Sequence, residues 1–318
     1  MTDRRLPPTS GVTGRFAPST TGRAHLGTLL AALLCWLDAR SRGGRILLRM
    51  EDLDPERCRP EYAGQMQDDL LWLGLDFDAV VLQSDLRAAH ERALDQLAAE
   101  GHLYPCSCSR AEVRAHGLPA PDGGWRYPGT CRARPLPMRG WRVCEEAIRL
   151  RLPRGFVDVP DESGLPIGHD PAALFGDPVV RRRDGAMAYH LAASVDDASA
   201  GVTHVVRGRD LATTTPTQVR VQEALGLPRP VYRHHLLLLE EQGGKLAKLH
   251  GSADASQLRS ALSPPELCGH LAHSAGLRAE PLPTVPGELL VSFSWDRVRG
   301  DDRVAHWDGR TLSLSEPA

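Results

Sequence analysis

The chain lacks any uninterrupted apolar run approaching the ~20 residues a membrane span needs. Its first residues, Met-Thr-Asp-Arg-Arg-Leu-Pro-Pro, lack the apolar stretch of a secretory signal. Charge of one sign is also missing, since 38 Lys and Arg face 40 Asp and Glu for a net charge of −2. A nucleic-acid partner is not excluded by this balance, but local patches must hold it. No internal repeat or long low-complexity tract stands out. The seven cysteines are odd in number and scattered, so they make no disulfide framework. These absences set the expectation of a cytoplasmic protein with no membrane association. A length of 318 residues and a hydrophobic fraction of 42% allow about two domains and a sizeable core.

The most informative stretch is residues 15–28. An apolar approach (Val12, Phe16, Ala17) runs into the turn Pro18-Ser-Thr-Thr-Gly22, then into His25 and the apolar run Leu26–Leu37. This reads as strand, loop and helix. Free N–H groups and the positive end of the dipole at a helix N-terminus suit a phosphate. Gly22 and Gly27 let a ligand approach, and His25 can donate a hydrogen bond to a phosphoryl oxygen. Arg45–Met50 reads as a buried parallel strand ending in Glu51-Asp52-Leu53-Asp54. Val80–Leu82 is a short strand, and residues 85–101 form an amphipathic helix with Asp85 placed to cap it. Trp36 and Trp72 fall at apolar helical positions and read as core. Strands alternating with helices at this rhythm predict an α/β fold with a doubly wound sheet.

The rhythm stops between about Pro105 and Gly185, a segment rich in Pro, Gly, Arg and Cys. Regular pieces return at 201–206, 217–225 and 232–239, followed by Gly243-Gly244 and the polar loop Lys245-Leu-Ala-Lys248-Leu249. Pro265–Ala275 is a plausible helix. The expected organisation is a polar tail (1–11), the first half of a catalytic domain (12–104), an insertion (105–185), the second half (186–250) and a short helical C-terminal segment (251–318). Within the insertion, Cys106, Cys108 and Cys131 offer three thiolates, and zinc wants a fourth ligand to close a tetrahedron. From chemistry alone, His116, His102 and Cys144 are the candidates. Arg181-Arg182-Arg183 reads as a solvated basic run, with RNA backbone contact as the alternative.

Three separated elements occur in order: Ala17-Pro-Ser-Thr-Thr-Gly-Arg-Ala-His25-Leu-Gly27, Val206-Arg-Gly-Arg-Asp-Leu211 and Lys245-Leu-Ala-Lys248-Leu249. Together they resemble the class I aminoacyl-tRNA synthetases of the glutamate branch, the first looking like that class's HIGH signature and the last like its KMSKS loop. Only about 70 residues follow the Lys loop, and the insertion carries Cys106-Ser-Cys108 with Tyr127-Pro-Gly-Thr-Cys131. In these respects the chain is similar to the glutamyl-Q tRNA(Asp) synthetase family, which lacks an anticodon-binding domain.

The resemblance implies a Rossmann-type catalytic domain with a zinc-containing insertion. It also implies tRNA-independent activation of L-glutamate by ATP, with Mg2+, and transfer of glutamate to the queuosine base at the wobble position of tRNA(Asp). It points to His25 and Lys248 as catalytic, and to His25, Gly27, Lys245 and Lys248 for ATP. Arg15, Phe16, Ala17, Pro18, Ser19, Glu51, Tyr189 and Arg207 match the family's glutamate-binding positions. The chemistry agrees, because the planar guanidinium fork of an arginine binds carboxylate in bidentate fashion, while an acidic group suits the ammonium. One structural Zn2+ is implied on Cys106, Cys108, Tyr127 and Cys131, Tyr127 being an unusual ligand. A monomer is expected. Two features depart from the family pattern: Ala247 replaces the serine of the Lys loop, and the HIGH match is the looser His-Leu-Gly-Thr. Two other readings are a shortened glutamyl-tRNA synthetase charging a tRNA 3′ end and a non-catalytic amino-acid- or RNA-binding paralogue.

Overall fold

The computed structural model describes residues 11–240 and 254–317. Its strands are β1 (Thr13–Phe16), β2 (Arg45–Met50), β3 (Ala79–Leu82), β4 (Leu103–Cys106), β5 (Ala147–Leu150), β6 (Val179–Arg181), β7 (His204–Gly208), β8 (Val231–His235), β9 (Leu238–Leu239), β10 (Arg303–Trp307) and β11 (Leu312–Ser315). Its helices are α1 (Leu26–Ser41), α2 (Pro60–Trp72), α3 (Arg87–Ala99), α4 (Arg110–His116), α5 (Pro171–Leu174), α6 (Tyr189–Ser199), α7 (Thr215–Leu225), α8 (Ala255–Ala261), α9 (Pro264–Ser274) and α10 (Pro286–Leu290). No helix among the described residues is long and apolar enough to cross a membrane. The chain forms two compact units.

The parallel-sheet unit comprises the described residues of 11–82, 202–209 and 231–317. In it β1 pairs in parallel with β2, and β2 with β3. A second parallel pair joins β7 to β8, with Arg207 opposite His234. The Thr203 N–H donates to the Thr13 carbonyl and the Thr13 N–H to Thr203 Oγ1, both at 2.9 Å, which lays the start of β7 along β1. The spatial order is therefore β3-β2-β1-β7-β8. Strand order reverses between β1 and β7, the kind of crevice in which open α/β sheets bind ligands.

Helix α1 is the centre of this unit. Leu29, Leu30, Leu33, Leu34 and Leu37 are all 1% exposed or less, because the helix packs against β1, β2 and β7 as well as α9 and α10. A helix covered on so many sides is apolar nearly all round. Its polar exceptions are satisfied: Asp38 accepts a bond from Trp295 Nε1 at 2.7 Å and pairs with Arg42 at 3.1 Å. Trp36 is buried as expected, its Nε1 donating to Asp76 at 2.8 Å.

The C-terminal segment holds the expected helix as α9, and strands besides. After α8, α9 and α10 it forms the antiparallel hairpin β10–β11, and β10 adds in parallel to β9. A five-residue strand paired with a two-residue one carries too little alternation to be read from sequence.

The cysteine unit comprises residues 83–201 and 210–230. Strands β4, β5 and β6 form an antiparallel sheet, and α3, α6 and α7 pack together. Buried Asp177 gathers the Tyr104 hydroxyl at 2.7 Å, the Leu152 N–H at 2.8 Å and the Arg132 guanidinium. Asp85 does not cap a helix as expected. A 3-10 turn, Gln83–Leu86, runs straight into α3 and leaves no side-chain cap at its start.

Candidate active site and cysteine cluster

The loop after β1 is laced onto the end of β2. The Glu51 N–H donates to the Pro18 carbonyl at 2.9 Å, the Thr20 N–H to the Glu51 carbonyl at 3.1 Å, and Ser19 bridges to Glu51. Phe16 sits in the hydrophobic core, Pro18 is buried and Ser19 is exposed, so a ligand at Phe16 would meet backbone.

His25 is the N-cap of α1, and its Nδ1 accepts the Thr28 N–H at 3.3 Å. This refines the expectation of an open helix N-terminus, because Thr28 N–H is already turned toward the His25 ring and carbonyl. An accepting Nδ1 places the proton of the neutral ring on Nε2. The imidazole, rather than the Thr28 amide, is then the donor that can serve a phosphoryl oxygen. Gly27 follows in the first helical turn, half-buried.

Arg15 and Arg207 lie at the carboxyl ends of β1 and β7, each 6% exposed. Arg15 donates to the Val206 carbonyl at 3.0 Å, which couples the two strand ends. Arg207 Nε donates to His234 Nε2 at 3.0 Å, and its guanidinium lies 5.4 Å from the Tyr232 ring, which stacks on His234. Glu51 pairs with the buried Arg49 at 3.4 Å. Two buried guanidiniums flanking a switch point, with a carboxylate at the next strand end, can hold a ligand bearing both carboxylate and ammonium. Sequence reasoning missed His234, Tyr232 and Arg49. The only signal for His234 is its place opposite Arg207, a register that depends on the crossover through α7.

Tyr189 opens α6 in the cysteine unit, half-buried, its ring 5.6 Å from that of His190. Lys245 and Lys248 lie outside the described residues. Beyond them the chain returns to the His25 segment. Asp254 bridges His25, the Ala255 N–H donates to the Ala24 carbonyl at 2.8 Å, and Arg23 lies 3.9 Å from Asp254.

In the cysteine unit, Cys106, Cys108 and Cys131 bring their sulfurs within 4.8 Å of one another, the Cys108–Cys131 separation being 3.6 Å. The Tyr127 hydroxyl lies 3.5 Å from Cys106 Sγ and accepts the Cys131 N–H at 2.8 Å. A tetrahedral zinc with bonds of ~2.0–2.3 Å has donor–donor edges of roughly 3.3–3.8 Å, which the Cys108–Cys131 and Cys106–Tyr127 separations match. Gly176 makes this placement possible: its φ is +76°, and a Cβ there would stand 2.3 Å from the Tyr127 carbonyl. Arg149 lies 3.7 Å from the centre of the Tyr127 ring.

Burial pushes the Cys131 thiol up, but bonds from Ser107 and Cys108 outweigh it and bring Cys131 down to about 6, toward the thiolate a metal needs. Burial pushes Cys108 up to about 11. The other candidates are engaged elsewhere: His116 bonds the Glu112 carbonyl, His102 pairs with Glu100 and Cys144 faces the Gly140 carbonyl. The basic run is also internal in its bonding. Arg181 donates to the Cys144 carbonyl, Arg182 pairs with Asp184 and Arg183 donates to the Ser107 carbonyl beside the cluster.

Residues 11–273 match the family described as tRNA synthetases class I (E and Q), catalytic domain. A glutamyl-Q tRNA(Asp) synthetase of Symbiobacterium thermophilum is 43% identical over 303 residues, covering 90% of this chain and 93% of the relative. One from Nocardia farcinica is 42% identical over 297 residues, covering 92% of each. Among solved structures, a glutamate tRNA ligase from Elizabethkingia meningosepticum, in complex with its amino acid, superposes with a TM-score of 0.76 at 25% identity. That match covers 92% of this chain, which spans 66% of the ligase.

Proposed function

We infer the reaction from one premise: the chain belongs to the class I tRNA synthetase family of the glutamate and glutamine enzymes, and within it to the glutamyl-Q tRNA(Asp) synthetases. The proposed reaction is activation of L-glutamate by ATP without tRNA, followed by transfer of glutamate to the queuosine base at the wobble position of tRNA(Asp). A glutamate carboxylate oxygen attacks the α-phosphorus, the bond to the bridging oxygen of the β-phosphate breaks, and pyrophosphate leaves. The acyl group then passes to the base and AMP is released.

The observation that carries this reading is the pair of buried arginines, Arg15 and Arg207, at the strand ends where the sheet order reverses. Arg15 is proposed to select the side-chain carboxylate, with Arg207, Tyr189 and the backbone of residues 16–19 completing the glutamate site and Glu51 facing the ammonium. The Nε2–H of His25 stabilises the α-phosphate as charge builds on it, and Gly27 leaves room for the nucleotide. Such chemistry depends on positioning and charge, so donors and cations suffice without a covalent nucleophile. Lys245 and Lys248 are proposed to serve the pyrophosphate side, with Mg2+ accompanying ATP. Zinc on Cys106, Cys108, Tyr127 and Cys131 would be structural, a cross-link in a loop-rich segment.

The test is glutamate-dependent ATP–pyrophosphate exchange in the absence of tRNA. Exchange is expected with glutamate and not with glutamine or aspartate. Its absence would remove the reading and favour a non-catalytic paralogue.

A further inference from the structure

Outside the crevice between β1 and β7, the C-terminal part of the parallel-sheet unit carries an open pocket of about 240 Å³ lined by Arg299, Arg303, His273, Ser315 and Glu316 among others. Arg299 is seated by a glycine. Gly276 has φ +83°, and a Cβ there would lie 2.6 Å from Arg299 Cγ, so only glycine leaves the arginine stem its place. The Arg299 N–H anchors the backbone to the Ala275 carbonyl at 2.8 Å, while its side-chain Nε is buried with no hydrogen-bond partner among the described residues. That Nε lies over Gly276, 3.3 Å from where a Cβ would stand, which fixes the stem of an arginine that lines the pocket.

The neighbouring cation already shows which acceptor suits the pocket. Arg303, whose side chain is 12% exposed, holds the carboxylate of Glu316 at 3.0 Å, and the Glu316 side chain is 83% exposed. An ion pair with one partner in water is easily exchanged for a better anion. His273 adds a further polar edge, its Nδ1–H donating to the Arg278 carbonyl at 3.2 Å. Two guanidinium forks against one displaceable carboxylate leave the pocket with net positive charge, in a chain whose overall charge is −2. Guanidinium forks match tetrahedral oxyanions, phosphate above all.

We propose that this pocket is a phosphate-binding site and that it takes a backbone phosphate of the RNA substrate, Glu316 being displaced from Arg303 as the phosphate enters. The RNA source rests on the proposed reaction; the phosphate chemistry does not. A chain without bulk positive charge must hold RNA through such local seats.

The test uses the full chain, inorganic phosphate and tRNA(Asp), with Arg299→Gln and Glu316→Gln. Phosphate is expected to shift the His273 ring resonances in the wild type. Arg299→Gln should weaken tRNA binding about tenfold and lower the slope of log affinity against log salt by about one, as expected for one lost phosphate contact. Glu316→Gln should tighten binding, an opposite change that misfolding cannot mimic. Both variants should keep wild-type glutamate-dependent ATP–pyrophosphate exchange. Unchanged tRNA affinity and salt slope in both variants would overturn the proposal. Phosphate shifts without any tRNA effect would overturn the RNA assignment and leave a site for free phosphate. Missing exchange in the wild type would count against the proposed reaction alone, since the phosphate titration and salt slope are read independently of it.

Discussion

At the scale of single residues, the reading turns on Arg15 and His25, which do different work. Arg15 is a buried guanidinium at a strand end, and a lysine there would keep the charge but lose the planar fork. Hydrogen bonds to charged groups are worth about 1.5–3 kcal/mol, so Arg15→Lys should raise the glutamate KM by roughly 10- to 100-fold in pyrophosphate exchange, with the ATP KM little changed. His25 joins its observed role as helix cap to the proposed one of phosphate donor, and a pair of substitutions can separate them. Asparagine can accept the Thr28 N–H as His25 Nδ1 does, but it has no imidazole N–H. His25→Asn should therefore hold stability near wild type while kcat falls about 10²–10³-fold, the range seen for a lost transition-state donor. His25→Ala should lose the same rate and about 1 kcal/mol of stability besides, measurable by urea unfolding.

Secondary-structure elements explain what could be read in advance and what could not. The β1–loop–α1 unit was legible because its signals are local: a turn of Pro, Ser, Thr and Gly between two apolar runs, with His25 at the entry to the helix. The cysteine cluster was legible from the spacing of Cys106 and Cys108, whereas the nearness of Tyr127 comes from the fold around Gly176, and its candidacy came from family likeness. The pairing of His234 with Arg207 was hidden because parallel register is set by a distant crossover. The hairpin β10–β11 was hidden because its third strand, β9, is two residues long.

Protein purified without chelator should carry about one zinc per chain, and removing it, or making Cys108→Ser, should lower the thermal midpoint; stability unmoved by metal removal would defeat the structural role. Asp254 tests the cap of α8. Burial raises its pKa, but bonds from Ser256 and Gln257 outweigh that and hold the carboxyl below its ordinary value of 3.8. A depressed folded pKa gives stability that is complete above the ordinary value and lost as pH falls through the folded one. Unfolding midpoints should drop more steeply below about pH 4 in the wild type than in Asp254→Asn, which has no carboxyl to titrate there.

For the whole molecule, the near balance of 38 basic against 40 acidic residues means that any RNA contact rests on local patches and not on bulk charge. Family membership fixes a class I synthetase catalytic domain of α/β type, and the central claim is where its acyl group ends. The most direct measurement is a transfer assay with labelled glutamate, ATP and queuosine-containing tRNA(Asp), followed by mild ribonuclease digestion and separation of the products. The label is expected on the queuosine nucleoside. Label on the 3′-terminal adenosine, with none on queuosine, would contradict the account.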